Sequence, residues 1–457
     1  MQLFQKCFIL ITFLISLGST AAETVIKGNL KNFEGKTIRA AKYTNYITYE
    51  KIWLDQAVLS ESNFNLTFDL EHTTQIVLRV EDKETILFAE PGKVYNLNLS
   101  YNAAANEGNA FDKLLDLSFP FPTPDNINLQ IKSFNKAFQD FFSANYQLLA
   151  INAAGKQINA FVEKWEKKNE SQPKDFVKQY IGYTLANLQD INGVPKEKLY
   201  KEYLSNKPIL HANKEYMNFF KQFYQQDFEL LTLKKDALEL LNAIMIENDL
   251  DKTIGEIKRL KQFERQEMAE MYLLNGLYEV YHTKTINQKS SMKLLNKLEE
   301  KGTTEEIRNL STSIISQLQQ FEKGGEAAAF ALKNTEGKLV ELKNFKGRPI
   351  YLNFWANWSI PSLRELKVLQ KLEEKYGDKI HFVSINLDED ASIFKNIKAK
   401  NNYDWAFLHY GDDFELREKY DVRTVPTYYL IDAAGKIIKA NASGPTEIER
   451  TLYDLSK

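Results

Sequence analysis

Residues Arg348 to Leu369 read RPIYLNFWANWSIPSLRELKVL, and the order of side chains there describes a buried strand running straight into a helix. Pro349 opens the run, and Ile350, Leu352 and Phe354 alternate toward one side with the period of two that a strand imposes. Trp355, Ala356, Asn357 and Trp358 form the turn. The helix is expected to begin at Ser359, with Pro361 in the first turn, where a missing N–H costs nothing. Leu363, Leu366, Leu369 and Leu372 recur at helical spacing until Gly377 stops it.

Downstream, IHFVSINL in Ile380 to Leu387 predicts a second central strand, which a βαβ crossover places parallel to the first. Asp388, Glu389 and Asp390 follow at a strand end before a helix, a place where acids cap and solvate more readily than they bind metal. Trp405 and FELREKYDV lead to Arg423-Thr424-Val425-Pro426-Thr427, and YYLIDAAGKIIKA supplies a strand pair. Pro445, Ile448, Leu452 and Leu455 pattern a closing helix.

With FALKNTEGKLVELKNFKGRPI ahead of the turn, this succession resembles the thioredoxin fold, in particular the envelope thiol-disulfide reductases of the TlpA type. The resemblance covers roughly Glu326 to Lys457. In that family the turn carries Trp-Cys-x-x-Cys, and here it carries Trp358-Ser359-Ile360-Pro361-Ser362. The resemblance also implies that Pro426 is cis and packs beside this turn, and that Val425 offers backbone groups to an extended peptide. The groove it implies is walled by Trp358, Ile360 and Val425, next to Ser359 and Pro426.

The two serines decide the chemistry expected of that turn. A thioredoxin works through a thiolate at a helix N-terminus that attacks a disulfide, and a second Cys that resolves the mixed disulfide. Serine does neither, because its hydroxyl stays protonated near neutral pH and forms no stable S–S bond. Ser359 and Ser362 are therefore read as degenerate positions, with no catalytic residue. A serine hydrolase here would need a neighbouring base and an oxyanion site, and His381 and His409 lie in ordinary strand contexts.

Cysteine usage points the same way, since the single Cys of the chain is Cys7. Met1 to Ala22 reads as a secretory signal peptide: Lys6 in the n-region, CFILITFLISLG as the apolar core, and STAA before Glu23. That apolar run is short for a membrane span, and Cys7 stands at its start rather than its end, which is the wrong place for a lipoprotein cysteine. The mature chain is expected to be exported, thiol-free and without a transmembrane span.

Composition bounds the remainder. A length of 457 residues accommodates two or three domains, and 59 Lys plus Arg against 61 Asp plus Glu gives no basic field for nucleic acid. Residues 23–102 contain short alternating runs such as TVIKGNL, NFNLTFDL, QIVLRVED and VYNLNLS, with Pro91-Gly92 marking a tight turn. They predict a small antiparallel β-sandwich, similar to the N-terminal β domain that precedes thioredoxin-like domains in envelope proteins of Bacteroidetes-type bacteria.

Residues 103–325 switch to helical periodicity and predict a bundle of antiparallel helices, broken at Pro173, Pro195, Pro208 and Gly302. Phe134, Phe138, Phe141 and Phe142 stripe one face and Ile158, Phe161 and Trp165 another, as a buried core requires. Thr303 or Thr304 carries a capping signal, His72, His211 and His282 lack partners at metal spacing, and no cofactor is implied. Gly324-Gly325 is the natural boundary before the thioredoxin-like domain at 326–457.

The function expected from these features is a redox-inactive binding or scaffolding module of the cell envelope that engages a protein or peptide partner. The alternative is a TlpA-type oxidoreductase by family membership, without catalytic thiols of its own. A third reading leaves function to the helical bundle, with the last domain as a cap.

Overall fold

The computed structural model describes residues 21–106, 113–151, 153–283, 285–411 and 413–457. Residues 1–20 of the expected signal peptide, Cys7 among them, lie outside the described residues.

Eight strands form the N-terminal domain: β1 (Ala22–Leu30), β2 (Thr37–Tyr43), β3 (Lys51–Val58), β4 (Asn63–Leu70), β5 (Thr74–Val80), β6 (Lys83–Ala89), β7 (Val94–Tyr101) and β8 (Lys113–Ser118). Alternation builds them: in β4, Phe64, Leu66, Phe68 and Leu70 are buried while Asn63, Asn65 and Asp69 face water. At Pro91-Gly92 the glycine has φ +74°, the conformation a turn with Pro ahead of Gly requires.

The antiparallel sandwich expected from these runs is met in part. The strands make one continuous sheet in the order β3-β2-β5-β6-β8-β7-β1-β4, curled around a single core that includes Ile26, Ile38, Leu66, Leu78, Leu87 and Leu99. Two of its pairings, β1 with β7 and β6 with β8, are parallel. The domain also runs past the expected end at residue 102, because β8 closes the gap between β6 and β7.

The helical region divides between two cores rather than one bundle. Helices Ile127–Ala150, Gly155–Glu170 and Asp175–Ile191 enclose Ile131, Phe134, Ile158, Trp165, Ile181 and Leu185. Helices Lys214–Phe223, Leu250–Lys261, Gln266–Val280, Gln288–Lys301 and Glu305–Gln320 enclose a larger core, which also takes Tyr46 and Ile47 from the loop between β2 and β3. Thr304 is the cap of the last helix, accepting the Ile307 N–H, whereas the Thr303 hydroxyl donates to buried Glu270.

In the second bundle, helix Gln266–Val280 passes so close to Phe228 that a Cβ on Gly276 would lie 2.2 Å from the ring. Gly276→Ala should therefore destabilise by about 1–3 kcal/mol through overpacking, despite the better helix propensity of Ala. Thermal unfolding checks this, and Phe228→Leu in the same chain should recover part of the loss.

The C-terminal domain is a seven-stranded sheet ordered β10-β9-β13-β12-β11-β14-β15. Its strands are β9 (Ala331–Asn334), β10 (Leu339–Glu341), β11 (Ile350–Trp355), β12 (His381–Asn386), β13 (Ala406–His409), β14 (Thr427–Ile431) and β15 (Ile437–Lys439). β11, β12 and β13 run parallel, as the crossover predicts, and β14 lies antiparallel to β11. All six residues of β11 are buried, because helices and loops cover both faces of the sheet. Ile350, Leu352 and Phe354 enter one core, while Tyr351 and Trp355 enter the other, against Leu366 and Leu369.

Gly324-Gly325 is not a loose linker. The Gly324 N–H donates to the Ile437 carbonyl at 2.7 Å and the Ile437 N–H to the Gly325 carbonyl at 2.7 Å, so the segment extends the sheet edge at β15. The N-terminal domain also docks on the C-terminal one. Buried Arg79 reaches Glu418 and the Phe414 carbonyl, each at 3.2 Å, Lys51 also reaches Glu418, Arg39 pairs with Glu415, and Lys113 pairs with Glu389.

Candidate functional site

The strand–turn–helix of Ile350 to Tyr376 places Ser359 at the N-cap of helix Ile360–Tyr376. Its hydroxyl has one hydrogen and two lone pairs, and the geometry uses both capacities. Oγ accepts the Ser362 N–H at 3.3 Å and donates to the Val425 carbonyl at 3.1 Å. Ser359 thus satisfies one of the open N–H groups of the helix and fastens the Val425–Pro426 turn to it. The Val425–Pro426 peptide bond is cis. Ser362 is 1% exposed, and its hydroxyl has no hydrogen-bond partner among the described residues.

Around this pair the surface is apolar and open. Trp358 is 49% and Ile360 62% exposed. Val425 and Pro426 are half-buried beside them. The Val425 N–H has no hydrogen-bond partner among the described residues, and its carbonyl keeps a second lone pair beyond the bond from Ser359.

The site residue that the sequence concealed is Asp388. Its position after β12 suggested a solvated acid, but it is 4% exposed. One carboxylate oxygen accepts the Asn357 N–H at 2.8 Å and the Asn386 amide at 2.6 Å, so the acid holds the turn that carries Trp358 and Ser359. Its neighbours behave differently: Asp390 caps the helix Ala391–Asn401, as expected, and Glu389 reaches Lys113 of the N-terminal domain.

Neither histidine of this domain reaches the serines. His409 accepts the Gly411 N–H at Nδ1, which leaves Nε2 to donate to the Asp388 carbonyl at 2.7 Å. His381 lies against Arg348, and burial followed by that guanidinium holds its imidazole below the usual value. Among the described residues Ser359 and Ser362 therefore have no hydrogen-bonded base, so the arrangement offers an apolar surface and backbone groups rather than an activated nucleophile. Elsewhere, His211 does have a carboxylate partner, Glu267 at 3.2 Å, which the sequence spacing did not reveal.

Residues 322–455 match the family described as Redoxin. The chain is also 35% identical over 126 residues to the thiol-disulfide oxidoreductase ResA of Bacillus cereus, a match covering 27% of this chain and 72% of that protein. The chain belongs to the thioredoxin-like redoxin family. It is similar as well to the thioredoxin-like protein YneN of Bacillus subtilis, at 32% identity over 29% of this chain and 79% of that one. Among solved structures, a putative thiol-disulfide oxidoreductase from Bacteroides vulgatus is 36% identical, covering 28% of this chain and 85% of that chain with a TM-score of 0.27. Each of these matches involves less than a third of the chain.

The redoxin domain departs from a dithiol active site in one respect that follows from composition alone. With one Cys in 457 residues, the chain cannot form a disulfide within itself. No helix among the described residues is long and apolar enough to cross a membrane.

Proposed function

We propose that this chain is a redox-inactive, thioredoxin-like binding or scaffolding protein of the bacterial cell envelope, which holds an extended segment of a protein partner in the groove beside Val425–Pro426. The observation that carries the reading is the Ser359 hydroxyl, placed between the helix N-terminus and the Val425 carbonyl, with Trp358 and Ile360 exposed on either side of it. The serine preserves the architecture of a peptide-binding edge without a thiol. The open N–H and carbonyl of Val425 suit main-chain hydrogen bonds to a strand-like segment, and the exposed rings and branched side chains suit its apolar residues. The leader-like composition of Met1 to Ala22 supports export.

Capture from envelope extract tests the groove. The chain from Glu23 onward should retain a specific partner, and Ile360→Asp should lose it, because a charge is placed on the rim at a position 62% exposed, where the fold tolerates it. Retention of the same partner by the variant would move the binding role to another surface. The names of the relatives favour a second reading, an oxidoreductase drawing on thiols of a partner chain. Insulin reduction by the isolated wild-type chain should be absent, and activity there would overturn the redox-inactive reading.

A further inference from the structure

Four cationic side chains of the N-terminal sheet reach across to acids of the redoxin domain. Arg39 pairs with Glu415, Lys51 and Arg79 with Glu418 at 3.3 and 3.2 Å, and Lys113 with Glu389. The polarity is the same each time, with the cation on the sheet and the carboxylate on the redoxin domain. No apolar cluster among the described residues spans this seam: the core of the curled sheet draws on residues no later than Phe119, and the two redoxin cores on residues no earlier than Phe321. A cleft of about 690 Å³ remains between the faces, lined by charged side chains that include Lys36, Arg79, Glu81 and Glu415. The sheet meets the helices differently. Tyr46 and Ile47 are buried in the core of the second helical unit, and Phe88 packs on Phe176 of the first with ring centroids 5.4 Å apart. Burial of apolar surface is not screened by ions, whereas the reach of a charge falls from about 30 Å at 0.01 M salt to about 3 Å at 1 M.

We infer that this seam is an electrostatic latch: raised ionic strength releases the redoxin domain, still folded, from the sheet, while the sheet and the helices stay together as one body. Breaking an ion pair is costly when it strands a charge away from water, and here each sheet cation has a second partner within its own domain. Arg79 lies 3.5 Å and Lys51 3.0 Å from Glu84, Lys113 lies 2.7 Å from Asp82, and Arg39 sits over the Trp53 ring at 5.0 Å. On the other face Glu415 has Lys419 at 3.9 Å, and Glu389 and Glu418 are already well exposed to solvent. What release gives up is the attraction across the seam and the bond from Arg79 to the Phe414 carbonyl at 3.2 Å. On the helical side the redoxin domain is tied near its own linker. Phe321 faces Tyr429 with centroids 6.4 Å apart, and the Gln320 amide donates to the Lys419 carbonyl at 2.8 Å. The segment after Gln320 is therefore the pivot, and the latch operates whatever the groove holds.

Fluorescence energy transfer tests this, because the chain from Glu23 onward contains no cysteine and takes dyes only where thiols are introduced. One pair of dyes is placed at Gln56→Cys and Lys395→Cys, across the seam, and a control pair at Gln56→Cys and Lys293→Cys, within the sheet and helices; all three positions are exposed. Between about 0.01 M and about 1 M NaCl, transfer across the seam should fall and should return on dilution, while the control pair stays constant. Glu415→Gln with Glu418→Gln should shift the fall to lower salt. Arg39→Glu alone should do the same, and adding Glu415→Arg to it should shift the fall back toward wild type; Arg39 and Glu415 are partly exposed, so these variants supply the test if the other folds poorly. Transfer that is constant over the whole range, a fall that comes only with loss of the circular dichroism of the folded chain, or an equal fall in the control pair would overturn the latch. So would a salt dependence identical in wild type and in the charge variants.

Discussion

Replacing Ser359 and Ser362 together by Cys is expected to give this chain a reversible disulfide and an insulin-reducing activity, which the wild type is expected to lack. The fold already provides the environment a dithiol needs. Ser359 is the N-cap of a helix of seventeen residues, and its side chain already accepts a backbone N–H there. A thiolate in that place gains the same hydrogen bond and the positive end of the helix, which lowers a thiol from about 8.5 into the range of roughly 3.5–7.5. Position 362 lies three residues on and is 1% exposed, where a resolving thiol is shielded from oxidants while remaining close to its partner. After mild oxidation the double variant should resist alkylation, and reductant should restore it. Ser359→Cys alone should form mixed disulfides that it cannot resolve. Persistently free thiols in the double variant would mean that the turn has lost the geometry as well as the sulfur.

Asp388→Ala should be the most damaging single substitution at the site, costing about 3 kcal/mol, or roughly 10 °C in the thermal midpoint of the redoxin domain. The carboxylate is buried and accepts from both the Asn357 N–H and the Asn386 amide. Removing it leaves two donors in the protein interior without water or a partner, and that asymmetry makes deletion of a buried acceptor expensive. Asp388→Asn retains a carbonyl for the Asn357 N–H and should lose less than half as much. An Ala variant as stable as wild type would show that the turn relaxes onto other acceptors. The insulin assay separates stability from site geometry: Asp388→Asn added to the Ser359→Cys, Ser362→Cys double variant should slow turnover while the domain stays folded.

What could be read from the sequence was the structure whose causes are local. The helix beginning after Ser359 was legible because Pro361 sits in the first turn and Leu366, Leu369 and Leu372 repeat on one face. β11 was legible as a strand, although its even residues hid the fact that Tyr351 and Trp355 face a second core of their own. Pairings between distant segments left no local mark. KLLDLS at β8 is six residues inside a region otherwise helical, and only the gap between β6 and β7 makes it a strand. Helical periodicity shows that a face is buried without showing against what, so the division of the helices between two cores was not visible. Asp388 was misread for a related reason. An acid after a strand is usually solvated, and only the Asn357 backbone coming from another element makes this one a structural acceptor.

The adjacent residues Asp388 and Glu389 face opposite ways, one to the Asn357 turn and the other to Lys113 of the curled sheet. Lys113 is in turn held by Asp82 at 2.7 Å. A single peptide unit thus joins the rim of the groove to the seam between two domains. Linkage makes such a joint reciprocal: an occupant that shifts the Asn357 turn changes the free energy of docking by the amount that docking changes its own affinity. On that coupling, a redoxin domain cut free of the N-terminal sheet is expected to hold an occupant of the groove with a different affinity from the intact chain.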